Sequence, residues 1–496
     1  MLMIGIDVGT TNSKVGVMDA KGKVLAIASR PTISYMHEEG FSYYDPEQMW
    51  DDITGMIQEV TSNVDAAQIA SIGITSMAES GLILNEETGK PQSIFVPWFD
   101  TCSQDQARHI AAESDAMEQF TKSGLNLSFK LGLAKILWIR SRNPQALEQG
   151  KWLTVSGYIA YRLSGVMACD YTLAARTYAF DLNTKSWDRA FIAHFGVNPN
   201  LFPELVPSGV PLGKVTDEVR TLGLPAHTVV AIAGHDHVSA ALAVGAISSG
   251  DVYNSMGTAE TLVGIISERK LGAEEYHSGL SYGVHAVPGQ YFWMGGNSSS
   301  GGSVEWIRKV IGVNTLDYMT MKNEVASCLT GPTGILYYPY LSGCGAPTPD
   351  SGAKAAFIGL SKSHGRPQIL KALLEGTAYQ QEYIRRSAEQ VTGQHIHQVR
   401  VIGGGTRLEP WMQIKAAVSG VELILPEVDE AAVLGAAMIA AIGAKQYANA
   451  EEAVAAIQQE ASLRRVSYAE EEHQAYQQFY TDKFVPIQAA LRNWEL

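Results

Sequence analysis

Ile4-Gly5-Ile6-Asp7-Val8-Gly9-Thr10-Thr11-Asn12-Ser13-Lys14-Val15-Gly16-Val17-Met18 decides how this chain is read. Two runs of alternating apolar residues, Ile4/Ile6/Val8 and Val15/Val17, flank a small polar turn, which is the pattern of a β-hairpin. The turn, Gly9-Thr10-Thr11-Asn12-Ser13, presents backbone N–H groups and hydroxyls but no bulk. Lys14 follows at once, and alternation puts Asp7 on the face opposite Ile6 and Val8. A carboxylate beside a donor-rich turn and a cation fits a cradle for a phosphate chain and its metal. A solvated hairpin with a buried first strand is the plainer alternative.

Outward from the hairpin, a turn at Asp19-Ala20-Lys21-Gly22 leads to a third strand, Val24 to Ser29. Asp45-Pro46-Glu47 opens a helix over Gln48 to Ser62, with Pro46 near the first helical position and acids at its positive end. Ile69 to Thr75 reads as a short strand that ends in Ser76-Met77-Ala78-Glu79-Ser80, and Leu82 to Leu84 as a further strand. Pro97-Trp98-Phe99-Asp100 follows, so two strand ends deliver polar residues, and loops at strand ends are where sites form. Residues 101–148, Trp152 to Arg162 and Trp187 to Phe195 read as helical, with Asp170 and Arg176 in a structured loop between them, either supporting the site from behind or packing the domain, packing being the first expectation. Pro203 to Pro211 is a linker or crossover. Val229 to Ala233 is an unbroken apolar run, hence a buried strand. It ends in Gly234-His235-Asp236-His237, and a helix, Val238 to Val244, begins there.

The second half repeats the opening. Asp251 to Gly264 is again strand, Gly-Thr turn and strand, with Gly257-Thr258 standing half a chain length after Gly9-Thr10. This predicts two related domains, 1–245 and 246–496, whose turns face each other across a cleft. Beyond it the sequence predicts a Gly/Ser loop from Gly295 to Gly302, helices at Val304 to Val310 and Pro367 to Val391, and a strand, Val399 to Ile402. That strand runs into Gly403-Gly404-Gly405-Thr406, followed by a helix, Pro410 to Ser419, a strand, Val421 to Leu425, and a packed helix, Ala431 to Ile442. Residues 466–494 read as a terminal helix.

Bulk properties bound the function. A chain of 496 residues is too long for one core. Its net charge of −14 is spread rather than blocked, and without a basic stripe nucleic-acid binding has no support. The four cysteines, Cys102, Cys169, Cys328 and Cys344, form no C-x-x-C, which excludes a zinc ribbon and fits reduced thiols in a cytoplasmic protein. No charged n-region and apolar h-region open the chain, so no signal peptide is expected. The longest apolar run, Ala431 to Ala444, is too short to span a bilayer, so no membrane partner is expected either.

Taken together these motifs resemble the FGGY carbohydrate kinases of the actin, hexokinase and heat-shock ATPase superfamily, over nearly the whole chain. Asp7-Val8-Gly9-Thr10-Thr11 is similar to the family's first phosphate motif and Gly257-Thr258 to its second. Ala355 to Glu375, with Gly359-Leu360 and Ala372-Leu373-Leu374-Glu375, nearly fits its C-terminal signature. Gly403-Gly404-Gly405 through Trp411 to Ile414, then Val433 to Ala437, is close to its adenosine motif, and Lys135-Ile136-Leu137-Trp138 partly matches its N-terminal signature. The resemblance implies an α/β chain of two ribonuclease H-like, actin-like ATPase domains around a cleft. The first would bind sugar and phosphate and the second the nucleotide, with pairing into a homodimer an expectation of the family.

The implied chemistry is ATP-dependent phosphorylation of a sugar or polyol hydroxyl, with ATP and Mg²⁺ as its small-molecule partners. Asp236, at a strand end ahead of a helix, matches the catalytic base; capping that helix is its plainer role. Asp7, with Asp236 near, would hold Mg²⁺. Gly9, Thr10, Thr11, Asn12 and Lys14 would meet the phosphates from one side, Gly257, Thr258 and Gly302 from the other, with Gly404 and Gly405 letting backbone approach the nucleotide. Glu79, Trp98, Asp100, His235, His237 and Met77 are the substrate-binding candidates. Here the resemblance thins. Glycerol kinases carry an Arg-Glu pair where this chain has Ala78-Glu79, so the Glu is kept and the Arg lost. Xylulokinases carry Gln-Met-His where it has Ser76-Met77-Ala78, so only Met77 agrees. A pentulose such as xylulose is the first expectation for the acceptor, with glycerol, a tetritol or a pentitol behind it. A non-transferring ATPase of the same superfamily is the alternative from another class.

Overall fold

The computed structural model describes residues 1–312, 314–428, 430–458 and 463–491. Its frame is two mixed sheets built to one plan. In the first, β1 (Leu2–Val8), β2 (Asn12–Asp19) and β3 (Val24–Pro31) form an antiparallel meander. Helix α1 (Pro46–Thr61), capped by the Asp45 carboxylate on the N–H groups of Glu47 and Gln48, then returns the chain to β4 (Ile69–Ser76), parallel to β1. Strand β5 (Gly81–Asn85) pairs outside this sheet with β6 (Gly150–Thr154), and helices α2 (Gly132–Arg142) and α3 (Val155–Ser164) lie on either side of β6 in sequence. Strand β7 (Pro211–Lys214) and strand β8 (Val229–His235) complete the sheet, in the order β7-β8-β4-β1-β2-β3.

After helix α4 (Asp236–Ala243) the plan recurs. Strands β9 (Val252–Met256) and β10 (Glu260–Ser267) form the second Gly-Thr hairpin; β11 (Ser281–Val284) and β12 (Gln290–Asn297) extend it antiparallel. Helices α5 (Gly301–Val310) and α6 (Arg366–Thr392) precede β13 (Gln398–Ile402), parallel to β9; α7 (Glu409–Ser419) leads to β14 (Glu422–Pro426), parallel to β13. Helix α8 (Ala431–Gly443) and strand β15 (Leu463–Val466) follow, the sheet running β11-β12-β10-β9-β13-β14-β15. In both sheets a hairpin, its antiparallel extension and two parallel strands on the far side of the first strand stand in the same order. The repeat expected from the two Gly-Thr turns is therefore a repeat of topology.

Helix α8 belongs by sequence to the second half yet lies on the first sheet. A Cβ built on Gly5 of β1 would stand 1.9 Å from the Val433 carbonyl oxygen, and one on Gly73 of β4 1.8 Å from that of Ala436. Only glycine admits a helix backbone that close to a strand. Helix α8 also touches α4 backbone to backbone, since a Cβ on Gly435 would lie 1.8 Å from the Ser239 carbonyl oxygen. Its apolar residues on all sides are thus buried in a cluster that joins the two halves. No helix among the described residues is long and apolar enough to cross a membrane.

Several expected bounds shift. Trp152 and Leu153 are strand rather than helix: both are buried, paired with β5, and the Thr154 hydroxyl starts α3 by accepting from the Gly157 N–H at 3.2 Å. Residues 101–148 break into helices Gln104–Glu113, Ala116–Ser123 and α2, with a left-handed cap at Gly124. Trp187 pairs with Phe180 as strand, and the helix that follows is Arg189–His194. Glu204–Val206, inside the expected linker, pairs parallel with Ala168–Asp170. Gly295 and Gly296 are strand in β12 rather than loop, and Val466 closes β15 before the helices Glu470–Phe479 and Val485–Leu491. The last residues of that expected terminal helix, 492–494, lie outside the described residues.

Candidate active site

Register brings the first half of the site together. Val8 pairs with Ser76, and Ser76 with His235, so the ends of β1, β4 and β8 form one row. Asp7, one residue back, stands across from Lys14 on one side and Thr75 on the other. The residue is half-buried, and its Oδ1 is buried with no hydrogen-bond partner among the described residues. Burial, reinforced by the facing Asp236 carboxylate and opposed by Lys14, pushes Asp7 up to about 8. An orphaned carboxyl oxygen whose charge a neighbouring carboxylate disfavours matches the donor set of a hard divalent cation. The residues therefore fit Mg²⁺, with Asp7 and Asp236 to hold it.

The Gly9–Ser13 turn is closed by the Gly9 N–H on the Asn12 carbonyl at 3.1 Å and buttressed by the Ser13 and Thr32 hydroxyls at 2.9 Å. Thr11 and Asn12 are exposed. Lys14 reaches forward to Glu430, the residue before α8, at 2.6 Å. The phosphate-side cation thus carries a counter-ion from the other half of the chain.

Asp236 opens α4. Its Oδ1 accepts from the His237 N–H at 2.6 Å and lies 3.2 Å from His235 Nε2, while the side chain remains 29% exposed. His235 is buried, and burial holds its imidazole down at about 3, so the ring next to Asp236 is neutral. Below it the turn is built on Asp170, which is buried and accepts from the Thr172 N–H and hydroxyl and the Ser208 hydroxyl. The Thr172 hydroxyl in turn accepts from the His235 N–H at 2.8 Å. Asp170 is the packing residue the sequence predicts, and what it packs is the Asp236 turn.

The substrate candidates divide. Glu79 has a left-handed backbone, φ +58°, and its Oε1 accepts from both Nε (2.8 Å) and Nη2 of Arg176. Arg176 therefore meets the site instead of packing away from it. The Trp98 indole N–H donates to the Thr10 hydroxyl at 2.8 Å, and Lys130 lies 5.0 Å over its ring. This ties the Pro97–Asp100 segment to the Gly9–Ser13 turn. Asp100 spends its two oxygens on the N–H groups of Ser42 and Cys102 and so anchors its loop. Met77 is 2% exposed within the first core, with its N–H on the Val8 carbonyl. His237 is half-buried and packs edge-on to His235.

Two lysines missed by sequence reasoning organise the surroundings. Lys135 of α2 is fully buried and donates to the carbonyls of Glu79 (2.6 Å), Pro97 (2.8 Å) and Val96 (3.3 Å), stitching both strand-end segments together; burial pulls it down to about 7. Only its place in the partly matching signature could have drawn attention to it. Lys415 of α7 bonds both carboxylate oxygens of Glu260, at 2.7 and 3.0 Å. Glu260 also accepts from Asn254 and Ser300, so the second hairpin, the segment before α5 and α7 share one buried network.

The second Gly-Thr turn offers carbonyls to α5: Gly257 accepts from the Gly301 N–H, and Thr258 from those of Ser300 and Gly302. Gly403, at φ +105°, crosses so near Met256 that a Cβ would stand 2.4 Å from its carbonyl oxygen; Gly404 beside it faces open space, and a Cβ on Gly405 would meet Met256 Cε at 2.7 Å. The adenosine-motif glycines and the second phosphate turn are thus neighbours.

The model of the FGGY family of carbohydrate kinases matches the chain twice, its N-terminal domain over residues 2–243 and its C-terminal domain over 252–444. A xylulose kinase of Bacillus subtilis (strain 168) is 27% identical over 456 residues, 91% of this chain and 90% of its own. A glycerol kinase of Gloeobacter violaceus is 28% identical over 458 residues, 92% of this chain and 90% of its own. Among solved structures, a ligand-bound xylulose kinase from Lactobacillus acidophilus superposes with a TM-score of 0.91 at 22% identity, covering 99% and 98% of the two chains. Plasmodium falciparum glycerol kinase with ADP does so at 0.89 and 22%, covering 100% and 99%. With both family domains matched in order, on two like-built sheets, the chain belongs to the FGGY family of carbohydrate kinases: a phosphotransferase with an alcohol group as acceptor, built as two actin-like ATPase domains.

Proposed function

We propose that this kinase transfers the γ-phosphate of ATP to one hydroxyl of a small ketose or polyol, a pentulose of the xylulose kind first. Residues 1–245 would bind sugar and phosphate and residues 246–496 the nucleotide, in a cytoplasmic enzyme that works as a homodimer. The observation that carries the transfer is Asp236 just past the end of β8, facing an Asp7 whose Oδ1 is buried and orphaned. Asp236 accepts the proton of the attacking hydroxyl. The His237 N–H holds its Oδ1, beside which the neutral His235 ring stands at 3.2 Å, leaving its other oxygen to act. Mg²⁺, held by Asp7 and Asp236, supplies neutralisation of phosphate charge when bound. Thr10, Thr11 and Asn12 offer donors from the first turn, and Trp98 connects that turn to the acceptor side. Closure of the two domains would exclude water from the cleft.

A second reading, a glycerol, tetritol or pentitol kinase, is favoured by one finding. The guanidinium that glycerol kinases carry next to Glu79 is missing at Ala78 but returns from Arg176. Turnover of ATP with D-xylulose, xylitol, erythritol and glycerol separates the two, and a panel in which none raises turnover would sink both. Asp236→Asn should lower kcat by about 10²–10⁴-fold while leaving ATP binding by calorimetry nearly intact; near-normal transfer would remove Asp236 from the role of base.

A further inference from the structure

We infer that Arg176 is a positioning residue for acceptor recognition: it holds Glu79 by one carboxylate oxygen so that the other is delivered to an acceptor hydroxyl. The inference rests on the reading above, in which Glu79 contacts the acceptor, and adds a residue 97 positions away that makes the contact possible.

Three observations converge on it. Glu79 occupies the left-handed region at φ +58°, which a long, unbranched acid does not choose unaided. Its conformation is held at both ends: the buried Lys135 ammonium grips its carbonyl oxygen at 2.6 Å, and Arg176 grips its carboxylate. Strain held in place from two sides at a strand end is the signature of an aimed side chain.

The second observation is how the pair is made. Both Arg176 contacts fall on Oε1, and neither falls on Oε2. A bidentate fork spread over both oxygens would satisfy the carboxylate and close it to a ligand. Doubling up on one oxygen leaves the other with its acceptor capacity while the charge stays balanced. The side chains of Glu79 and Arg176 remain only 11% and 13% exposed, so a hydroxyl reaching Oε2 meets a largely desolvated acceptor.

The third is what the pair leaves undone. Arg176 Nη1 is buried with no hydrogen-bond partner among the described residues. A salt bridge kept for stability alone has no reason to carry a buried orphan donor.

The test compares Arg176→Gln, Arg176→Lys, Glu79→Gln and the Arg176→Gln/Glu79→Gln double variant, with D-xylulose, xylitol, erythritol and glycerol as acceptors. Arg176→Gln should raise KM for the accepted compound on the order of 10- to 100-fold, the size of a lost hydrogen bond to a charged group, with KM for ATP moving less than about 2-fold. Arg176→Lys should recover part of this but not all, since an ammonium cannot hold one oxygen with two donors. The double variant should be no worse than the more damaged single. If Glu79→Gln raises the acceptor KM and Arg176→Gln does not, or if their effects multiply, the positioning role is overturned and the Glu79 reading survives. If both are silent, the Glu79 reading falls and this inference with it. Should no compound of the panel be phosphorylated, the acceptor reading fails separately. Thermal unfolding of the same four proteins then decides the coupling, which stands if the Tm losses of the singles fail to add and falls if they add.

Discussion

Lys135 in the first half of the chain and Lys415 in the second are both buried, and each is bonded to a segment of the candidate site, Lys135 to the Glu79 carbonyl and Lys415 to Glu260 beside the Gly257-Thr258 turn. Their partners differ. Lys135 faces three neutral carbonyls, of Glu79, Val96 and Pro97. Lys415 faces a carboxylate, Glu260, which also gathers Asn254 and Ser300. Burial lowers both ammoniums; carbonyls satisfy donors without balancing charge, so Lys135, with only the more distant charges of Glu79, Cys102 and Asp100 to oppose burial, falls to about 7, whereas Lys415 touches the carboxylate that opposes it. A carboxylate balances the charge, and the second network is locked. The half that should grip the acceptor is thus held by an adjustable tie, and the half beneath the Gly257-Thr258 turn by a rigid one.

The largest test of that contrast is Lys415→Met. It leaves Glu260 as an uncompensated buried charge beneath the second turn. Loss of one partner of such a pair costs about 3–5 kcal/mol. Tm should fall by many degrees, and Glu260→Gln added to Lys415→Met should recover most of the loss. A Lys415→Met protein that melts with the wild type would show that the second network is as loose as the first.

Lys135→Met should cost less, on the order of 1–3 kcal/mol, because it strands only neutral carbonyls. Its sharper signature is in pH. The folded value of Lys135, about 7, lies below its ordinary 10.5. Below about 7 the ammonium is charged in both states and its burial cost is present in full. Between about 7 and 10.5 the folded protein has released a proton that the unfolded chain retains, so stability rises with pH. Wild type should therefore gain Tm over Lys135→Met as pH goes from 7 to 9, measured as the difference between the two proteins. A difference that stays flat, or shrinks, over that window would reverse the contrast between the two lysines.

That contrast marks where the sequence could be read and where it could not. Alternation in Ile4 to Val8 and Val15 to Val17, and its return around Gly257-Thr258, announces both hairpins because a strand face needs only every second side chain. Asp236 is legible for a similar local reason: an apolar run stops and a helix begins. The partners of Lys135, Arg176 and Glu430 are not legible, because they are backbone carbonyls or side chains far along the chain, and such pairings leave no period in the letters. Trp152 and Leu153 illustrate the same limit in secondary structure. An apolar run beside a helix reads as its first turn until β5 is known to lie alongside. Asp100 shows the same limit: its charge and position suggest an acceptor ligand, and nothing in the letters announces the two backbone N–H groups, of Ser42 and Cys102, that its oxygens also meet.

The smallest effect lies where the adjustable half touches the phosphate turn. The Trp98 indole donates to the Thr10 hydroxyl at 2.8 Å, the one side-chain hydrogen bond described between the acceptor segment and the first phosphate motif. Thr10→Val keeps the shape and the β-branch but removes the acceptor, at a cost of about 1 kcal/mol or roughly 5-fold in kcat/KM. Because the bond joins the two substrates' sides, the loss should appear in both the ATP and the acceptor terms, and Thr10→Ser should restore it. If only the ATP term moves, Thr10 serves the phosphates alone and Trp98 is free to turn its ring to the sugar. If only the acceptor term moves, the bond orients Trp98 without feeling the nucleotide. Either result would cut the coupling that this hydrogen bond builds between the tie at Lys135 and the Gly9–Ser13 turn.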